Sequence, residues 1–166
     1  MKLAVLGAGS WGLTLTWLLS NNFDEIFLWS REEDLTDELV TTKSTKKPVE
    51  VQLDQKVHIS SNLEITIKNA DIILLVVATS AIRSVCQRLK QSGLNENQII
   101  VNTSKGLELP GLYRMSEVIS QELPANKVAV LSGPTLAKEV LKGLPTAASV
   151  SCENMEIADF VQKKLN

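Results

Sequence analysis

The sequence predicts an α/β fold: a doubly wound, mostly parallel sheet with helices on both faces. Three observations carry that prediction. Strand-like apolar runs alternate with helical patterns along the whole of the 166 residues. Asp71-Ile-Ile-Leu-Leu-Val-Val77 is almost unbroken in its apolar character, as a central parallel strand covered on both faces requires. Lys2-Leu-Ala-Val-Leu6 runs straight into Gly7-Ala-Gly9-Ser-Trp-Gly12, and Leu13 to Leu19 then recur at helical spacing, giving strand, glycine turn and helix in order.

The remaining elements follow the same alternation. Ile26–Trp29 reads as the second strand, and Glu32–Val40 as a helix with Leu35, Leu39 and Val40 inward. The stretch 41–55, with Lys43, Lys46, Lys47 and Pro48, reads as a long polar surface loop with few apolar anchors, for which mobility is expected. Val57–Ile59 is a short third strand, with His58 in a structural role. A short helix over 62–68 takes Ser61 or Asn62 as its cap. Asp71–Val77 is the fourth strand, 82–89 a helix and Gln98–Val101 the fifth strand. A helix over 113–123 places Met115, Val118, Ile119 and Leu123 on one face and ends at Pro124. Lys127–Leu131 is the sixth strand, and Pro134 opens a helix to about Lys142. Thr146–Val150 is a seventh strand, and 153–165 a last helix. No Gly/Ser-rich linker divides the chain, so 1–166 is expected to form one domain.

Composition narrows the class. With 44% hydrophobic and 22% charged residues, the chain can build an ordinary soluble core. A formal net charge of -2 argues against general nucleic-acid binding. No apolar run is long enough to span a bilayer, and Lys2 is followed by only four apolar residues before the glycines, which is no signal-peptide layout. Cytoplasmic localisation, with Cys86 and Cys152 as reduced thiols, is therefore expected. The cysteines lack metal spacing and His58 is the single histidine, so no metal site and no His-based triad is expected.

In such sheets, ligands bind outside the carboxyl ends of the strands. That rule selects Gly7–Gly12, Ser30-Arg31, Ala78–Ser80, Thr103–Gly106 and Ser132–Thr135. Gly7 permits the tight turn, Gly9 lets a pyrophosphate approach bare backbone, and Gly12 lets the helix pack close to the sheet. Ser10 and Trp11 open that helix, whose free N–H groups favour phosphate. An NAD-selective site usually ends the second strand with Asp or Glu. Here Trp29-Ser30-Arg31 stands there, and a hydroxyl with a guanidinium suits a 2′-phosphate. The balance leans to NADP, with NAD still open. Arg31 can alternatively be a solvated residue paired with Glu32 or Glu33. Lys105 follows the fifth strand, where an ammonium can hold a phosphate or polarise a carbonyl during hydride transfer. Thr135 and the amides after the sixth strand offer a second place for an anion.

In these clusters the chain resembles the N-terminal domain of the bacterial type of NAD(P)-dependent glycerol-3-phosphate dehydrogenase. The matching segments are Gly-Ala-Gly-Ser-Trp-Gly at 7–12, Leu28-Trp29 with Arg31, Ser-Lys-Gly-Leu-Glu at 104–108, Ser-Gly-Pro-Thr-Leu-Ala-Lys-Glu-Val at 132–140 and Gly-Leu-Pro-Thr at 143–146. The resemblance implies a Rossmann-like domain with Ser10, Trp11, Arg31, Lys105 and Ala137 as cofactor contacts. For Trp11 that contact is either the ring or only the backbone N–H. It implies Lys105, Gly133 and Thr135 as contacts to glycerol 3-phosphate or dihydroxyacetone phosphate. It further implies a separate helical domain carrying the proton-handling lysine, a homodimeric whole enzyme and a role in glycerophospholipid synthesis. The present residues alone are then expected to lack catalysis. The chain departs from the family pattern at Ala78, where proline is common, and in 41–55, which lacks a Tyr-Leu-Pro-Gly-like segment. Rival readings are a related dehydrogenase, such as ketopantoate reductase or hydroxyacyl-CoA dehydrogenase, or a non-catalytic dinucleotide-sensing module as in potassium-transport regulators. The segments at 104–106 and 132–134 argue against the first, and the second leaves Lys105 unexplained.

Overall fold

A computed structural model describes residues 1–166. Its main sheet has seven strands: β1 (Lys2–Leu6), β2 (Glu25–Trp29), β3 (Val57–Ser60), β4 (Ile72–Leu75), β5 (Ile99–Asn102), β6 (Val128–Ser132) and β7 (Ser149–Cys152). Their spatial order is β7-β6-β5-β4-β1-β2-β3. All neighbours pair parallel except β7, which runs antiparallel to β6. The chain winds outward from β1 to β3, returns to lay β4 on the other side of β1, and winds outward again. The carboxyl ends of β1 and β4 are thus adjacent, at the point where winding reverses. Such sheets open a binding crevice there.

The central strands bury both faces. In β1, Leu3 and Val5 enter one apolar cluster while Ala4 and Leu6 enter another. In β4, Ile72 and Leu74 face the first cluster while Ile73 and Leu75 face the second. These eight side chains are 0% exposed. Their alternation is the period-two geometry of a strand with apolar material above and below. Helices α1 (Ser10–Leu18), α2 (Glu33–Thr42) and α7 (Met155–Leu165) cover the first face. Helices α3 (Leu63–Ile67), α4 (Ile82–Gln91) and α5 (Met115–Glu122) cover the second. The short α6 (Ala137–Leu141) packs beside α1. No helix is long and apolar enough to cross a membrane.

Four expectations are corrected. Pro134 does not open a helix: α6 begins at Ala137 with Leu136 as its N-cap, because Gly133 to Thr135 form a turn closed by Thr135 N–H on the Gly133 carbonyl. Tyr113 and Arg114 belong to a small antiparallel hairpin with Leu107-Glu108, and α5 starts at Met115. Val40 is exposed rather than inward, since it lies one position past the buried Leu39 on the solvent side of α2. The stretch 41–55 is not a bare polar loop. Ser44-Thr45 pairs with Val51-Gln52, and Val49, Val51 and Leu53 enter the first apolar cluster. The three lysines obscured an anchor made by every second residue. The capping of α3 is as read, by Asn62, whose Oδ1 accepts Ile65 N–H at 3.1 Å.

Candidate functional site

The glycine bend begins where β1 ends. Gly7 has φ +122, and a Cβ there would stand 2.4 Å from the Val76 carbonyl oxygen, so the turn lies hard against the end of β4. Gly12 is tighter still, because a Cβ would fall 1.8 Å from the Gly7 carbonyl oxygen. Helix and turn can meet at that distance only without a side chain. Gly9 differs: it is exposed, and a Cβ there would meet nothing within 4 Å. Its open backbone is the N-cap of α1, and no side chain caps that helix. The first-turn amides of a nine-residue helix are therefore presented to the crevice without a side-chain acceptor. That suits a pyrophosphate.

Two cavities flank the bend. The first, about 440 Å³, is lined by Gly9, Ser10, Trp11, Lys105, Thr135 and Ala137 among others. It thus gathers six of the positions selected from sequence, drawn from the ends of β1, β5 and β6. Trp11 is half-buried and also packs on the first apolar cluster, so its ring serves both wall and core. Apolar walls come from Val76, Val77, Leu131, Leu136 and Ala148. Lys105 is its one ionisable side chain. The Lys105 Nζ donates to the Gly133 carbonyl at 2.7 Å. Gly133 thereby touches the site through its backbone. A Cβ on it would fall 2.5 Å from the Ala147 carbonyl oxygen, so it cannot carry a side chain without displacing the segment that leads into β7.

The second cavity, about 710 Å³, runs from Gly7 and Gly9 past the end of β2 to Ser30 and Arg31. Arg31 is exposed and forms no ion pair with Glu32 or Glu33. The Ser30 hydroxyl is not free for a ligand. It is buried, accepts Glu32 N–H at 3.2 Å and donates to the Glu32 carbonyl at 3.3 Å. Of the expected hydroxyl and guanidinium pair, only the guanidinium remains available. Sequence reasoning missed two further cations lining this cavity, Lys47 and Arg88. Arg88 lies over the buried Trp29 ring, 5.1 Å from its centroid. The signal for it was present: Ser84, Val85 and Arg88 share one face of α4 with Ala81 at its N-cap, and all four line the cavity. The carboxylates of Glu32, Asp34 and Glu38 line it as well.

No group of three or more His, Cys, Asp or Glu side chains converges in a manner that could hold a metal. His58 is exposed and stacks on Phe27, with ring centroids 4.5 Å apart.

A doubly wound sheet with a glycine bend at its winding reversal, and cavities on both sides of that bend, defines a Rossmann-like dinucleotide-binding domain. Comparison with known families narrows this class. Residues 2–158 match the family described as NAD-dependent glycerol-3-phosphate dehydrogenase N-terminus, and the chain belongs to that family. It is 38% identical over 162 residues to a glycerol-3-phosphate dehydrogenase [NAD(P)+] of Thermoanaerobacter sp. (strain X514), covering 98% of this chain and 48% of the relative. It is 41% identical over 162 residues to the like-named protein of Clostridium perfringens (strain SM101 / Type A), covering 97% of this chain and 49% of that one. The chain thus spans about half the length of the curated relatives it matches. Among solved structures, the glycerol-3-phosphate dehydrogenase of Coxiella burnetii superposes with a TM-score of 0.91 at 31% identity, over 99% of this chain and 50% of that one.

Proposed function

We propose that residues 1–166 form the cofactor-binding unit of an oxidoreductase that interconverts sn-glycerol 3-phosphate and dihydroxyacetone phosphate with NADP(H) or NAD(H). One observation carries the reading: the glycine bend and the Lys105 ammonium line the same cavity. An anion held on the α1 amides then lies within one crevice with a cation suited to a substrate phosphate or carbonyl oxygen. The cofactor, when bound, supplies or accepts the hydride. Gly7, Gly9, Ser10, Trp11 and Gly12 hold its pyrophosphate side, Arg31 its adenosine side, and Ala137 the wall near its reactive end. Lys105, with Gly133 and Thr135, orients the substrate. Leu131, Leu136 and Ala148 limit water at the same place. A separate helical domain contributing the proton-handling lysine, a cytoplasmic homodimeric enzyme and a role in glycerophospholipid synthesis belong to this proposal. They rest on the resemblance at 104–108 and 132–140 and on relatives about twice this chain's length.

Titration of the protein with NADPH and NADH, followed through tryptophan fluorescence, tests the core of the reading. Trp11 lines the cavity, so saturable quenching is expected with at least one of the two. Absence of binding by both overturns it. Arg31→Ala is expected to weaken NADPH binding about tenfold, the value of one charged hydrogen bond, and to leave NADH nearly unchanged. Tighter NADH than NADPH binding by the parent chain removes the 2′-phosphate role of Arg31.

A further inference from the structure

The Lys105 side chain is exposed, and the backbone that carries it is gripped by a series of side-chain bonds extending the β4–β5 pairing beyond its last residues. Backbone pairing continues past β5 as far as Thr103, whose N–H donates to the Leu75 carbonyl at 3.0 Å. From there side chains take over. The Thr103 hydroxyl donates to that carbonyl at 3.0 Å, and the Ser104 hydroxyl to the Val77 carbonyl at 2.6 Å. The Thr79 hydroxyl donates to the Lys105 carbonyl at 2.7 Å. Each step moves one residue along the site loop and two along the segment that leads from β4 into α4.

Just beyond Lys105 the loop is held a second time. Gly106 has φ +128, and a Cβ there would stand 3.1 Å from the Thr79 hydroxyl oxygen, so the loop turns directly over Thr79. Two residues on, Glu108 receives the Arg83 guanidinium as a fork: Nε to one carboxylate oxygen at 2.9 Å and Nη2 to the other at 2.6 Å. The remaining arm of Arg83 is fixed by Glu122 of α5 at 2.6 Å. Gln121 of α5 also accepts from Nη2 at 2.9 Å. Thr79 and Arg83 are four residues apart, on one side of the helical segment at the start of α4. They hold the loop on either side of Gly106. The bidentate geometry fixes direction as well as distance.

We propose that Thr79 and Arg83 are positioning residues, setting the place of the Lys105 backbone and hence of its ammonium in the cavity. This rests on the functional reading above for its kinetic consequence, but not for its structural one. Neither residue lines the Lys105 cavity, so both act through the loop. Helix α4 also supplies Val85 and Arg88 to the cavity beyond the glycine bend. One helix therefore holds the site loop on one side and lines the adenosine side on the other.

The test uses Thr79→Val, which keeps the shape and removes the hydroxyl, with Thr79→Ser as the conservative restoration. Arg83→Met and Arg83→Lys form the second pair, since lysine keeps the charge without the fork. Amide hydrogen exchange read by mass spectrometry is expected to rise at least fivefold over 103–114 in Thr79→Val and Arg83→Met. Protection in 72–75 and 99–101 is expected to stay unchanged. In the full-length enzyme, the KM for dihydroxyacetone phosphate is expected to rise five- to tenfold while the NADPH Kd changes less than twofold. Thr79→Ser restores both readouts and Arg83→Lys restores neither fully. Parental exchange over 103–114, or increased exchange throughout the molecule, overturns the proposal. So does restoration by Arg83→Lys. If the parent enzyme shows no turnover of dihydroxyacetone phosphate, the functional reading fails. The exchange experiment then still decides whether the loop is held as proposed.

Discussion

Gly9 and Gly12 stand three residues apart and answer to different demands. A methyl group on Gly12 overlaps the Gly7 carbonyl, whereas one on Gly9 enters open space. Gly9 also has φ -71 and ψ 178, which alanine adopts without strain. Gly9→Ala is therefore expected to shift stability by no more than about 0.5 kcal/mol while weakening NADPH binding at least tenfold. Gly12→Ala is expected to lose about 1–3 kcal/mol or more of stability, as overpacking does. Thermal melts beside fluorescence titrations separate the two. The cysteines divide in the same manner. Burial pushes the Cys86 thiol up to about 12, while Cys152 is half-buried on β7. Ellman's reagent at pH 8 is expected to titrate one thiol per native chain and two after denaturation. At this scale the sequence was legible wherever backbone geometry alone sets the requirement, as at Gly7 and Gly12. It was not legible where a side chain's partner is remote. Nothing local says that the Lys105 ammonium meets the Gly133 carbonyl, 28 residues away.

Elements were readable in proportion to their apolar periodicity. The strands near 2–6, 72–75 and 99–102 stood out because both of their faces are buried. The hairpin over 107–114 escaped notice because its exposed leucines and Tyr113 carry no alternation toward a core. What holds that hairpin to α4 and α5 is charge. The Arg83 guanidinium keeps the Glu108 and Glu122 carboxyls below the usual carboxylate range, and those carboxylates push the Arg83 value up in turn. A carboxyl lowered on folding contributes stability that is complete above its unfolded value of about 4.5 and is lost as pH falls through the folded value. The parent is therefore expected to lose stability as pH drops from 5 toward 3. Arg83→Met, lacking the partner, is expected to be less stable at pH 7 and to show a shallower decline below pH 5. Urea midpoints at several pH values check this. Parallel curves for the two proteins count against the ion pair as the source.

For the whole molecule, the order of the strands decides what the site can do. Because β4 returns to the side of β1, loops from opposite halves of the sequence share one rim, and residue 9 meets residue 105 across a single cavity. That meeting was legible as a rule about strand ends, not from any residue by itself. The same rim also shows what the reaction would still need. Reduction of a carbonyl takes a hydride on carbon and a proton on oxygen. The cavity offers one ionisable side chain, Lys105, and its ammonium is engaged by the Gly133 carbonyl. It contains no carboxyl, imidazole or thiol to share the proton. Residues 1–166 are therefore expected to bind NADPH yet to reduce dihydroxyacetone phosphate at no more than about a hundredth of the rate of a full-length relative, the smaller loss typical for a missing general acid. Steady-state loss of NADPH absorbance at 340 nm measures it. Turnover within tenfold of the relative would identify Lys105 as proton donor as well as anchor. Lys105→Arg, which keeps the charge but cannot give up its proton near neutral pH, would then abolish the rate while leaving NADPH binding in place.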